Sequence, residues 1–403
     1  MLSRSQIESE INALLIKFKR SVKNCLNDFN FEEMTLSNGI PGLLLLLNEF
    51  NVTYQTKQYQ NDIRFLIEYL FQKLSKYGLI TQSLYSGAAG IAVALSEISQ
   101  QTDEYNNLLN SLDEYIVYCT NERIDNFDWK TVTPPNYDII EGLSGILVYL
   151  ITFKSEGNKV LINRIINFLT ELISNDNNGI IKMYISIGNQ MSEPEEHIYP
   201  DGCLNLGLAH GLAGIISVLA YANRKGYDFA RLDKIGDALE IYEQFQLNDS
   251  LVWKDGLTKD EYLSGHIKVK PNFIRDAWCY GRPGIALTYL YYGMASKKQY
   301  FIEKSENILI NSLDCLLCVD STMICHGISG ILATAIHFKR LLSTNQLDSY
   351  IDDLILRLSI NPQNNIMNDG FLEGKIGVIL TLMKINRRSS TRWESVLLLF
   401  NDI

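Results

Sequence analysis

No stretch of this chain is apolar for the roughly 18 consecutive residues that a membrane-spanning helix requires, so no segment reads as a membrane span. No block of basic residues is present either. The 36 lysines and arginines are scattered among 46 acidic residues, giving a net charge of −10, which argues against nucleic acid as a partner. The acidic surplus is ordinary for solubility, although it would also attract a cationic peptide. Cysteine is scarce: seven in 403 residues, an odd number. Without secretory context these read as reduced thiols, some of them free to hold a metal, rather than as a disulfide framework. Nor is a signal peptide expected from the N-terminal segment. Ile7, Ile11, Leu14, Phe18 and Val22 recur at helical spacing among acidic neighbours, the pattern of an amphipathic helix. The expectation is a cytoplasmic protein.

What is present is a repeat. Seven Gly-x-x-Gly units begin at Gly39, Gly87, Gly142, Gly211, Gly281, Gly327 and Gly374. Apolar runs follow them, such as Leu43–Leu47, Ile146–Leu150, Ile215–Ala222, Ile285–Tyr292, Ile331–Phe338 and Val378–Met383. Amphipathic segments precede most of them, such as Asp62–Leu74, Leu161–Ile173 and Tyr300–Leu317. Each unit therefore reads as outer helix, glycine turn, buried inner helix. The first glycine is expected to take positive φ, and the second to let two helices approach closely.

Length alone would suggest two or three domains, but a repeat of this extent argues for one repetitive domain, residues 1–403. The intervals between first glycines are 48, 55, 69, 70, 46 and 47 residues. A pair of helices fits in about 45 residues, so the two long intervals hold extra material, within about 175–205 and/or 247–272. Short β-rich excursions are expected there, as in Ile180–Ile187. A polar loop at 361–369 precedes the seventh copy. The expected architecture is all-α: an α,α-toroid of seven helical hairpins, a double-layered α/α barrel, with an open solenoid as the alternative.

The residues just before the glycines carry chemistry. Cys279 and Cys325 both stand two positions before a first glycine, and His326 and His210 stand one before. In a closed ring such positions converge on one end of the axis. Two thiols and an imidazole there make a three-ligand set, Cys279, Cys325 and His326, with a fourth position open. The plainer reading of a free cysteine is a small buried hydrophobe; two at one repeat phase, one beside a histidine, outweigh it. Cys315 and Cys318 offer a rival Cys3His set, but Asn307–Val319 reads as an apolar helix that would bury both. Cys25, Cys119 and Cys203 read as packing residues. His210 is either a fourth ligand or a general acid/base. Asp138 lies in a loop from which it could reach a substrate or orient an imidazole. Glu141 and Glu373 share a phase and read equally well as residues of the helix N-terminus. Arg275 could bind a carboxylate or fix the loop by a salt bridge with Asp276 or another acid, and Trp278 and Tyr280 could line a peptide groove or simply pack. His197, His266 and His337 carry no such signal.

Four motifs together resemble the lanthionine synthetase C-like family, and within it the stand-alone cyclases of lantibiotic biosynthesis. They are Tyr-Asp138-Ile-Ile-Glu-Gly-Leu-Ser-Gly, Gly-Leu-Ala-His210-Gly-Leu-Ala-Gly, Arg275-Asp-Ala-Trp-Cys279-Tyr-Gly-x-Pro-Gly and Cys325-His326-Gly. The resemblance runs through nearly the whole chain. It implies an α,α-toroid with a small SH2-like insertion, and one Zn2+ per chain held by Cys279, Cys325 and His326. It also implies addition of cysteine thiols to dehydroalanine or dehydrobutyrine in a dehydrated precursor peptide, giving lanthionine or methyllanthionine rings. His210 and Asp138 match the family's acid/base positions, and Arg275 matches a position important for activity. The implied partners are a dehydratase and an ABC transporter at the inner face of the cell membrane. Two other readings stand beside this one. A prenyltransferase-like enzyme would need a diphosphate pocket, for which only Arg275 and Arg282 stand near the motifs. A non-catalytic scaffold could bind peptide or glutathione through zinc.

Overall fold

The computed structural model describes residues 3–24, 30–100, 102–154, 158–227, 229–247, 251–268, 274–360, 368–385 and 390–401. Cys25, most of the 361–369 loop and parts of the 247–272 segment lie outside the described residues.

Among the described residues, seven inner helices follow the seven glycine turns: Ile40–Thr53, Ala88–Ser99, Leu143–Thr152, Leu212–Arg224, Arg282–Ser296, Ile328–Leu342 and Lys375–Lys384. An outer helix precedes each of them: Arg4–Asn24, Gln60–Tyr77, Asn106–Asp125, Lys159–Leu172, Leu232–Gln244, Gln299–Asp314 and Asp348–Ile360. Inner helices are apolar nearly all round because each has neighbours on every side; Ala88 to Ile98 is buried without a break. Outer helices bury one stripe. In Lys159–Leu172 that stripe is Leu161, Ile162, Ile165, Ile166, Phe168, Leu169 and Leu172, the spacing of a single helical face.

The ring closes. Each inner helix packs on the next, and the last, Lys375–Lys384, packs on the first, Ile40–Thr53. A circle of backbone hydrogen bonds runs through the residue two before each first glycine. Ser37 N–H donates to Tyr85 O, Tyr85 N–H to Ile140 O, Ala209 N–H to Cys279 O, Cys279 N–H to Cys325 O, and Cys325 N–H to Leu372 O. Leu372 N–H returns to Ser37 O, and Ile139 N–H to Ala209 O bridges the third and fourth units. An open solenoid would leave the first and last of these partners unmatched.

The glycines work differently from the sequence expectation. Six of the seven first glycines have extended φ, for example −136° at Gly211; only Gly281 takes positive φ, 95°. What the first position requires is room. A Cβ on Gly142 would stand 2.2 Å from Asp138 N. The second glycines are the contacts between units. A Cβ on Gly330 would meet Ile324 O at 2.0 Å and Trp278 Cβ, one unit back, at 3.0 Å; one on Gly42 would meet Phe371 Cβ of the seventh unit at 3.1 Å.

The chain's end fills the barrel. Leu397 O accepts from the Trp278 indole N–H at 2.8 Å, Val396 O from the Tyr85 hydroxyl at 2.9 Å, and Leu398 O from Tyr291. Phe400 stacks on Tyr221 with centroids 3.6 Å apart. The buried ion pair Lys384–Glu394 and the half-buried pair Arg392–Glu97 tie this segment to the inner helices.

β-structure among the described residues amounts to one antiparallel pair, Leu204–Asn205 with Gly256–Leu257, and isolated bridges such as Asn175 with Ile181 and Ile185 with Cys203. The alternating run at Ile180–Ile187 therefore forms bridged turns rather than a strand. Its flanking glycines, Gly179 and Gly188, hold positive φ and stop the extension. Both β segments sit just ahead of the fourth and fifth glycine turns.

One helix ends earlier than its apolar sequence predicts. Gln299–Asp314 stops before Cys315, and Cys315 and Cys318 are exposed rather than packed in the core. The buried Arg282 guanidinium takes the carbonyls of Asn311 and Cys315, and Asp276 accepts from Leu317 N–H at 2.8 Å. These tertiary hydrogen bonds replace the helical ones. Cys119 is half-buried and Cys203 buried.

Candidate metal centre

Cys279 and Cys325 come together because the backbone circle makes the fifth and sixth units neighbours, Cys279 N–H donating directly to Cys325 O. His326 follows Cys325 outside any helix, so adjacent side chains can face one point. The two sulfurs and an imidazole nitrogen lie within 4.8 Å of one another, Cys279 buried and the other two half-buried. A tetrahedral ion joins such a set through bonds of about 2.0–2.3 Å. Cys315 and Cys318 do not join the group, so the rival Cys3His set is not assembled.

The electrostatics of the pair suit a cation. The Cys325 thiol is pushed well above its ordinary value, first by its hydrogen bond with Cys279, then by burial and by the charges of Cys279 and Glu373; Arg275 opposes them. Two thiols held against each other cannot both ionise without a positive charge between them, and a coordinated divalent ion reverses that balance. The donor set therefore fits zinc, with two soft sulfurs and one imidazole.

Beside this group stands a dyad. His210 Nδ1 lies 2.6 Å from Asp138 Oδ2, with the carboxylate fully buried and the imidazole 22% exposed. The other carboxylate oxygen accepts from Glu141 N–H at 2.7 Å and Gly142 N–H at 2.8 Å. Asp138 is thus pinned at the foot of an inner helix. It orients the imidazole, and its burial behind His210 corrects the expectation that it could reach a substrate. An acceptor-only partner on Nδ1 keeps the proton there and turns Nε2 outward.

The remaining predicted residues divide. Arg275 does not pair with Asp276, which is held by Arg282; its charge acts instead on Cys325 and on the half-buried Asp255. Trp278 is fully buried with its N–H spent on Leu397. It packs between units and does not line a groove, because no face of the indole reaches solvent. Tyr280 is half-buried, its ring over Gly207 and its hydroxyl bonded by Asn205 Nδ2 at 2.8 Å. Burial pushes its phenol up. Glu141 accepts from Ser86, a structural partner. Sequence reasoning missed Asn205 and Asp255, which carry no repeat phase; Glu373 had a signal in the phase it shares with His326.

A closed helical toroid with two thiols, an imidazole and a histidine–aspartate dyad on one rim defines a class of α/α-barrel proteins with a candidate metal site. Residues 30–398 match the family described as lanthionine synthetase C-like protein, and the chain belongs to that family. It is 44% identical over 408 residues to nisin biosynthesis protein NisC of Lactococcus lactis subsp. lactis, covering 100% of this chain and 97% of that protein. It superposes on the solved structure of a nisin cyclase with a TM-score of 0.93, at 44% identity and covering 98% of each chain. No helix among the described residues is long and apolar enough to cross a membrane.

Proposed function

We propose that this protein is a lantibiotic cyclase, which adds cysteine thiols to dehydroalanine or dehydrobutyrine residues of a dehydrated precursor peptide to form thioether rings. The observation that carries the reading is the convergence of Cys279, Cys325 and His326 beside the Asp138–His210 dyad, in a chain of this family. The three ligands would hold one zinc ion per chain. When bound, that ion lets a peptide thiol with an ordinary pKa near 8.5 be present as the nucleophilic thiolate.

The reaction forms a carbon–sulfur bond at the β-carbon and moves the alkene electrons toward the neighbouring carbonyl. A proton returns to the α-carbon, so the product is an isomer of the substrate. His210 is the group placed to deliver that proton. Its Nδ1 is occupied by Asp138, and its Nε2 faces away from the carboxylate. Asp138 holds the tautomer and the ring's orientation. Arg275 lies near Cys325, where a cation would stabilise negative charge developing on the substrate carbonyl.

The prenyltransferase-like reading loses support from Arg282, whose guanidinium is spent on Asp276, Asn311 and Cys315 inside the protein and is not free for a diphosphate. We take the chain as a single catalytic domain on which the segments around the Leu204–Asn205 and Gly256–Leu257 pair form a small appendage. Its place of work would be the cytoplasm, beside a dehydratase and an ABC transporter at the inner face of the membrane. The direct experiment is to incubate the zinc-loaded protein with a dehydrated cysteine-containing peptide and count the thiols that remain alkylatable, since mass does not change. Loss of thiols only with protein and zinc is expected; undiminished thiols would overturn the reading.

A further inference from the structure

Arg123 lies in the last turn of the outer helix Asn106–Asp125 and is half-buried. Its Nη1 donates to two carbonyls, Pro135 O at 3.0 Å and Glu141 O at 2.9 Å. Neither carbonyl has a helical partner. Pro134–Tyr137 is a single helical turn, and the N–H that would extend it onto Pro135 O, that of Ile139, goes to Ala209 O of the next unit. The N–H that would reach Glu141 O, that of Gly145, goes to Asp138 O. The guanidinium therefore ties together the two ends of the segment that carries Asp138. Its second bond reaches further. Glu141 O and Gly142 N–H belong to one peptide group, and that N–H donates to Asp138 Oδ1 at 2.8 Å. In a planar trans peptide the C=O and N–H point opposite ways, so Arg123 holds one edge of the plane while the Asp138 carboxylate rests on the other. A carbonyl that accepts from a cation also makes its own N–H a stronger donor. Asp138 Oδ2 in turn lies 2.6 Å from His210 Nδ1. Burial pushes the guanidinium below its ordinary value, and the charges of Glu141 and Asp138 oppose that; an arginine stays charged throughout the working range. One chain of hydrogen bonds thus runs from the outer helical layer to the imidazole.

Building on the cyclase reading, we propose that Arg123 is a positioning residue: it fixes the Glu141–Gly142 peptide plane, and through that plane the carboxylate that orients His210 for proton delivery. The outer layer thereby takes part in the site through one guanidinium. Arg123→Ala leaves the peptide free to turn about its own axis. Gly142 N–H then no longer holds Asp138 Oδ1 in one place, and the imidazole loses its fixed direction. The metal ligands belong to other units of the ring and make none of these bonds.

The test is cyclisation by the full-length zinc-loaded chain, reading thiol consumption on a dehydrated cysteine-containing peptide, with protein in excess for the slow variants. Arg123→Ala should lower kcat by about tenfold or more, the usual worth of a partner that orients a reacting group, with KM and zinc content near those of the parent. A loss of general rigidity would slow a His210→Ala protein as well; a loss of imidazole orientation cannot. The Arg123→Ala/His210→Ala double variant should therefore match His210→Ala within about twofold. Parental kcat in Arg123→Ala, an effect confined to KM, or a double variant slower than His210→Ala by the full Arg123→Ala factor would overturn the proposal. Should Arg123→Ala not fold, the same cycle run with Arg123→Gln decides by the same outcomes. A parent chain that consumes no thiol defeats the cyclase reading instead, a result distinct from an active parent with an unaffected Arg123→Ala variant.

Discussion

Cys279 and Cys325 share one job, and removing either should empty the site. Cys279→Ala or Cys325→Ala leaves two donors where three converge, so metal content should fall from one ion per chain to a small fraction while far-UV circular dichroism is kept. Stoichiometric metal in either variant would refute the ligand assignment. In the proposed mechanism His210 acts on the substrate, not on the metal. His210→Ala should therefore retain zinc and lose roughly 10²–10⁴-fold in kcat, the usual worth of a positioned general acid; equal rates with and without the imidazole would remove it from the mechanism. The convergence of Cys279, Cys325 and His326 was legible beforehand because these residues follow the repeat phase. Asn205 was not, because its partners, Gly207 and Tyr280, meet it only through the strand pair and the ring.

Among elements, the glycine turns decide how closely inner helices approach. Gly330→Ala would push a methyl group to 2.0 Å from Ile324 O and 3.0 Å from Trp278 Cβ. Both obstacles are backbone or near-backbone atoms that cannot swing aside. A destabilisation of about 1–3 kcal/mol or more is expected, as for overpacking elsewhere, read as a lower midpoint in urea. Gly236→Ala is the contrast: its nearest neighbour is the tip of the Tyr292 side chain at 2.6 Å, which can move. A Gly330→Ala protein as stable as the parent would mean that the units do not rest on these contacts. The apolar run through Val319 shows the limit of reading elements from pattern. It predicted helix past Leu313, but Arg282 and Asp276, thirty or more residues earlier in the chain, offered its backbone better partners.

For the molecule as a whole, the C-terminal segment turns a ring into a filled barrel. Leu398 O accepts from Tyr291, whose oxygen lies 2.8 Å from His337 Nε2. His337 is buried, and burial lowers its pKa from 6.5 to about 4, with Glu394 and Arg340 acting in opposite directions. The unfolded chain would bind this proton near pH 6.5, while the folded chain resists until about pH 4. His337 thus contributes stability that is complete above pH 6.5 and is lost as pH falls toward 4, in total about 3 kcal/mol. Melting temperature should fall over that window, and His337→Gln should flatten the fall. An identical pH slope in the variant would show that other groups set acid stability.

The sequence by itself determined the repeat, the two helical layers and which two cysteines and one histidine share a place on the ring. Glycine turns and apolar periodicity are local, and identical local units must present equivalent positions in equivalent places. Only the tertiary structure decided that the ring closes, through the hydrogen bond from Leu372 to Ser37. It alone joined Asp138 to His210, turned Trp278 inward onto the C-terminal segment, left Cys315 and Cys318 in solvent, and brought Asn205 to Tyr280. Each of these depends on partners far apart in the chain, whose hydrogen bonds exist only once water has been excluded from between the units.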